Sequence, residues 1–140
     1  MFGASEGIWI MHSGDSTSIN SLLTSANDLP LEEFDWGTLR WLCNDRLSPG
    51  TPQTLGICHI WPGKKNPLHF HPNCEELLHV LAGRGRHRLG RDVVDLAAGM
   101  TLRIPVRTHH NFENIGEETL VCLICFSAGA RETVFLGGEP

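Results

Sequence analysis

The chain has 140 residues, of which 41% are hydrophobic and 19% charged, with a formal charge of −5. That size allows one core burying roughly 68% of the unfolded surface, and the composition excludes a disordered segment, a coiled coil and a membrane span of about 20 apolar residues. Eleven Lys and Arg against sixteen Asp and Glu also argue against a broadly basic face for nucleic acid.

Met1 to about Ser25 is rich in Ser, Gly, Thr and Asn, the composition of a loosely packed arm. Its first stretch, Met1 to Met11, carries only Glu6 as a charge and lacks the basic region of a secretory leader. Asn27-Asp28-Leu29-Pro30 followed by Leu31-Glu32-Glu33-Phe34 predicts a short helical turn with Asp28 as its cap. Residues 1–36 are therefore expected to form an irregular or partly helical arm, and residues 37–140 a single β domain.

After Gly37 the pattern becomes strand-like. Strands are predicted at Thr38 to Cys43, Thr54 to Trp61, Leu68 to Phe70, Glu76 to Leu81, Gly85 to Leu89, Asp92 to Leu96, Thr101 to Ile104, Asn111 to Asn114, Thr119 to Phe126 and Thr133 to Leu136. Fifteen Gly and eight Pro suit tight turns between them, and short strands at regular spacing indicate an all-β sandwich or barrel. In Arg84 to Leu89 the three Arg share one parity and His87 and Leu89 the other, which sends the Arg row to solvent and His87 inward.

Five Cys at irregular spacing, an odd number, do not make a disulfide framework and fit a reducing cytosol. Cys122 and Cys125 lie three apart in an apolar strand, so they face opposite ways and read as strand core rather than half of a zinc knuckle. The absence of Tyr removes every mechanism that needs a phenol.

Eight His are present, and their placement carries the chemistry. His69 and His71 are two apart, so on a strand both imidazoles project from one face and can bind one ion. Glu75 or Glu76, just past the Pro72-Asn73-Cys74 turn, could add a carboxylate, and His109 or His110 a third imidazole. Three His and a carboxylate suit divalent transition ions rather than Ca or Mg, which favour oxygen ligands.

These residues resemble the two motifs of the cupins. The first motif is matched by Gly63, His69-Phe70-His71, Glu76 and Gly83, whose spacing selects Glu76 over Glu75. The second is matched by Gly99, Pro105, His110 and Asn114, which favour His110 over His109; Arg107 stands where that motif has Gly, a position that can require φ > 0. The resemblance implies a double-stranded β-helix, a jelly-roll barrel, holding one divalent transition metal ion (Fe, Mn, Ni or Zn) on His69, His71, Glu76 and His110, and pairing as a homodimer.

Cupins include dioxygenases, decarboxylases, isomerases, lyases and proteins that only bind ligands. The resemblance therefore implies a metal-dependent enzyme acting on a small organic acid or carbonyl compound, with a dioxygenase slightly favoured. A non-redox isomerase, lyase or decarboxylase and a small-molecule-binding protein are the alternatives. His87 and His59 are candidates to contact substrate or move a proton beside the ion, and Arg103 and Arg107 to hold a carboxylate bidentately. A cytoplasmic protein without nucleic-acid or membrane partners is expected.

Overall fold

A computed structural model describes residues 18–137. Residues 1–17, and with them Met1 to Met11 and most of the expected arm, lie outside the described residues, as do residues 138–140. The described chain opens with the one-turn helix α1 (Ile19–Leu22), capped by Ser18, whose Oγ accepts from the Asn20 amide.

The helical turn expected from Asp28 to Phe34 is replaced by a shorter one. A 3-10 turn covers only Ala26–Asp28, with Asp28 inside it rather than capping it, and Glu32–Phe34 forms strand β1. β1 pairs antiparallel with β2 (Gly37–Cys43), Phe34 opposite Gly37 and Glu32 opposite Leu39. Two contacts favour this pairing over a helix. Phe34 stacks on Trp36 at 4.9 Å, and Glu32 accepts from Trp41 Nε1 at 3.2 Å. The β fold thus begins slightly before Gly37.

The remaining strands fall where turn residues bound apolar stretches. They are β3 (Thr54–Ile60), β4 (His69–Phe70), β5 (Glu76–Ala82), β6 (Arg84–Leu89), β7 (Asp92–Ala97), β8 (Thr101–Ile104), β9 (His110–Asn114), β10 (Leu120–Phe126) and β11 (Val134–Phe135). They form a six-stranded sheet in the order β1-β2-β3-β10-β5-β8 and a five-stranded sheet in the order β11-β4-β9-β6-β7, every pairing antiparallel. This is the all-β class that strand spacing predicts and the double-stranded β-helix that the resemblance implies.

Burial alternates along β3 and β10, as period-2 strands require. Cys58 and Ile60 therefore meet Leu120, Cys122, Ile124 and Phe126 inside, together with Val80, Ile104 and Phe112. Asn114 ties the end of β3 to the turn between β9 and β10. Its Nδ2 donates to the carbonyls of Ile60 and Glu118, both at 2.8 Å, and its Oδ1 accepts from Gly116 N.

The glycines of the motifs have a backbone reason. Gly63, Gly83 and Gly99 have φ of 75, 83 and 92°, the left-handed region that side chains resist. Arg107 shares that conformation, with φ 64°, and among the described residues other than glycine it alone does so. The turn that the family builds with Gly is thus kept here with Arg, and Arg107 N donates to the His71 carbonyl at 2.9 Å.

Candidate metal centre

Three strand ends and one loop bring four donors to one point. His69 lies on β4 directly opposite His110 at the start of β9, His71 follows β4, and Glu76 opens β5 opposite Phe126 of β10. All four residues are buried, and one donor atom from each lies within 4.8 Å of the others. His109 is elsewhere, its ring stacked on Phe70 at 5.1 Å, and Glu75 faces outward in an ion pair with Arg103 at 2.7 Å. The alternatives that spacing left open are separated by which way each strand end points.

Backbone carbonyls fix the imidazoles. A carbonyl can only accept, so Nδ1 donates in each ring: His69 to Pro67 O at 2.7 Å, His71 to Glu132 O at 2.9 Å and His110 to Thr108 O at 2.7 Å. Neutral rings then present lone pairs at Nε2. Yet Glu76 Oε2, another acceptor, sits 3.0 Å from His110 Nε2 and 3.5 Å from His71 Nε2, and buried His71 Nε2 has no hydrogen-bond partner. Acceptors facing one another at these distances need positive charge among them, supplied by a proton or a cation. This donor set, with every ring oriented from behind, fits a divalent transition ion.

The electrostatics agree with that donor set. Burial pulls the His69 pKa down to about 4, with the neighbouring His110 adding to the effect. For Glu76 burial pushes the other way, but the contacts with His110 and His71 outweigh it and hold the carboxyl well below the usual carboxylate range. Neutral imidazole and ionised carboxylate are the forms that ligate metal.

Above the four donors lies a cavity of about 390 Å³, within the range of small-molecule sites. Its wall is mostly apolar, with Trp36, Trp41, Leu78, Phe112, Ile124 and Phe126 prominent. His87, on β6, is fully buried in this wall, its ring stacked 5.9 Å from that of His110, and neither of its nitrogens has a hydrogen-bond partner. Burial, and then His110, lower its pKa to about 4.

The other residues singled out from sequence lie outside the cavity. His59 is half-buried on β3, 6.5 Å from the Trp61 ring, and does not line it. Arg103 is taken up by Glu75 on the surface, and Arg107 is exposed on its turn. The cation in the wall is Arg131, which the sequence reading did not single out. It follows β10 in Ala128-Gly129-Ala130-Arg131, and no motif or spacing marks it.

A model of the cupin domain matches residues 56–126, half of the chain. The chain belongs to the cupin family. This cupin is 34% identical over 91 residues to an uncharacterized protein of Methanocaldococcus jannaschii, covering 65% of this chain and 73% of that protein. It is 33% identical to the polyketide synthase CurC of Streptomyces cyaneus, over 59% of this chain and 53% of that one, and 28% identical to the protein SchB of Streptomyces halstedii, over 72% and 73%. Among solved structures it resembles an oxalate decarboxylase of Lactobacillus farciminis in a formate complex, with 27% identity and a TM-score of 0.73. That match covers 79% of this cupin but only 34% of the decarboxylase, so the chain spans about a third of its length. Oxalate decarboxylase OxdC of Bacillus subtilis, 24% identical with a TM-score of 0.71 and 31% covered, shares the fold.

Proposed function

We propose that this cupin is a metal-dependent enzyme acting on a small organic acid or carbonyl compound. The observation that carries the reading is the convergence of three carbonyl-oriented imidazoles and the Glu76 carboxylate on one point beside an apolar cavity. His69, His71, Glu76 and His110 would hold one ion of Fe, Mn, Ni or Zn. Such an ion supplies Lewis acidity toward a carbonyl or carboxylate oxygen and, if iron, dioxygen chemistry.

The chain's own part is binding and exclusion of water. Trp36, Phe112 and their neighbours cover the apolar body of a substrate and leave its oxygens facing the four donors. A dioxygenase is the first reading, slightly favoured by the family resemblance. Non-redox chemistry, decarboxylation above all, is the second, and two observations favour it. His87 faces the cavity with both nitrogens unpartnered, free to hold or accept a proton at the substrate, and the chain resembles an oxalate decarboxylase. The polyketide synthase name of one relative accords with a carbonyl substrate.

Elemental analysis of untagged protein, with His69→Ala/His71→Ala as the blank, tests the site. About one transition ion per chain that is absent from the blank is expected; no ion above the blank overturns the reading. Oxygen uptake against carbon dioxide release, measured with chelating acids, then separates the two chemistries.

A further inference from the structure

The cavity wall holds a cation for which the metal centre has no use. Arg131 places its guanidinium carbon 4.2 Å from the centroid of the Trp41 ring and 5.0 Å from that of Phe126. Its Nη1 donates to Thr133 Oγ1 at 2.8 Å, and that is the one side-chain hydrogen bond it makes to the described residues. A guanidinium has five N–H donors in a rigid fork, so most of them are left for a ligand.

No carboxylate among the described residues pairs with this charge. Two acidic groups share the cavity, and neither forms an ion pair with Arg131: Glu32 accepts from Trp41 Nε1, and Glu76 lies against His110 and His71. A partly buried cation without a counter-ion is costly unless something completes it. Burial accordingly lowers the Arg131 pKa, with Glu76, Cys74 and Glu32 acting against that shift.

We propose that Arg131 is the anion-recognition residue of this cavity, and that its ligand is an organic acid with a flat aromatic or conjugated body. The carboxylate pairs with the guanidinium, and an oxygen at the far end faces the His69, His71, Glu76 and His110 cluster. This rests on the metal-site reading above and narrows it to a substrate class. Aromatic rings of Trp36, Trp41, Phe112 and Phe126 supply the flat surfaces.

The two ends are within reach of one small molecule. The Phe126 centroid lies 5.0 Å from the guanidinium and 4.9 Å from the His71 ring, so the two groups are no farther apart than those distances together. They are also linked through Thr133, whose Oγ1 accepts from Arg131 and lies 3.2 Å from His71 Nδ1. Arg131 is thus a specificity-determining residue attached to a candidate metal ligand, the role that sequence alone suggested for Arg103 and Arg107.

The probes are 6-hydroxy-2-naphthoate, flat with a carboxylate and a hydroxyl at opposite ends, and its uncharged amide. Calorimetric titration of metal-loaded wild-type protein is expected to favour the acid over the amide by about ten-fold or more, the scale of a charge-assisted pair. Arg131→Gln should remove that preference while keeping the metal content and the affinity for the amide; Arg131→Lys should restore part of it. Chelator-treated wild type should retain a preference for the acid, so failure of the metal reading would leave this one measurable. Equal binding of acid and amide, no binding of either, or an undiminished preference in Arg131→Gln overturns the proposal. The wild-type comparison needs no variant to fold.

Discussion

Glu75 and Glu76 are adjacent in sequence, and one peptide unit gives them different chemistry. Glu76 is 5% exposed and meets two imidazoles, whereas Glu75 forms a surface pair with Arg103, the kind of contact that contributes little to stability. Glu76→Gln removes the anionic ligand and leaves an amide among acceptors. It is expected to weaken metal retention by 10-fold or more, on the order of what altering groups around a site already costs, while Glu75→Gln leaves retention unchanged. Competition against a chelator reads both; equal losses would mean that Glu76 is not a ligand. His69, His71 and a neighbouring carboxylate were legible because that geometry is local, two residues apart on a strand and across one turn, whereas His110, 34 residues from Glu76, was reached only through the spacing of the second family motif. Arg131 was not legible, because its place in the wall depends on where the segment after β10 crosses Trp41, a residue remote in sequence. Its distinguishing property is an unmatched charge, which no spacing encodes.

At the scale of the element, strands with alternating burial could be read almost to their ends, and β1 could not. Leu31-Glu32-Glu33-Phe34 has acidic residues where a helix start would place them, but its partner β2 and the Phe34–Trp36 stack decide its conformation. The turn before β9 shows the opposite case. Sequence comparison with the family motif marks Arg107 as a misfit, and the structure keeps the motif's positive φ regardless. A side chain in that region costs roughly 1–2 kcal/mol, and Gly gives back part of the gain through a more flexible unfolded chain at about 0.5–1 kcal/mol. Arg107→Gly is therefore expected to raise the thermal midpoint by about 2–6 °C, and Arg107→Ala to leave it nearly unchanged, since Ala retains the same backbone cost. Thermal denaturation followed by circular dichroism checks this. A midpoint for Arg107→Gly at or below wild type would show that the φ is not strained, or that the arginine side chain repays it.

For the whole molecule, strand spacing predicts a sandwich or barrel, but the order of strands within the sheets is nonlocal. That β10 lies between β3 and β5 follows from how two hydrophobic faces close on one core, which no short window of sequence contains. The same sheet has a second apolar face. Parity along β3, β5 and β10 turns Leu55, Ile57, Leu77, Leu81, Val121 and Leu123 away from the interior, with Leu77 44% and Leu81 49% exposed. Leu123 lies at the middle, paired with Ile57 on one side and His79 on the other. An outward face this rich in apolar side chains, with His59 and His79 among them, suits an interaction surface, and a two-fold axis through it would let identical patches cover one another. We propose that two copies pair through this face, as the family resemblance implies. Light scattering on wild-type protein should then give twice the chain mass. Leu123→Asp, which would bury a charge at the centre of that contact but leave the inner core untouched, should give the mass of one chain with its β spectrum preserved. A wild type that already scatters as one chain would remove the homodimer, and a Leu123→Asp dimer would move the contact to another face.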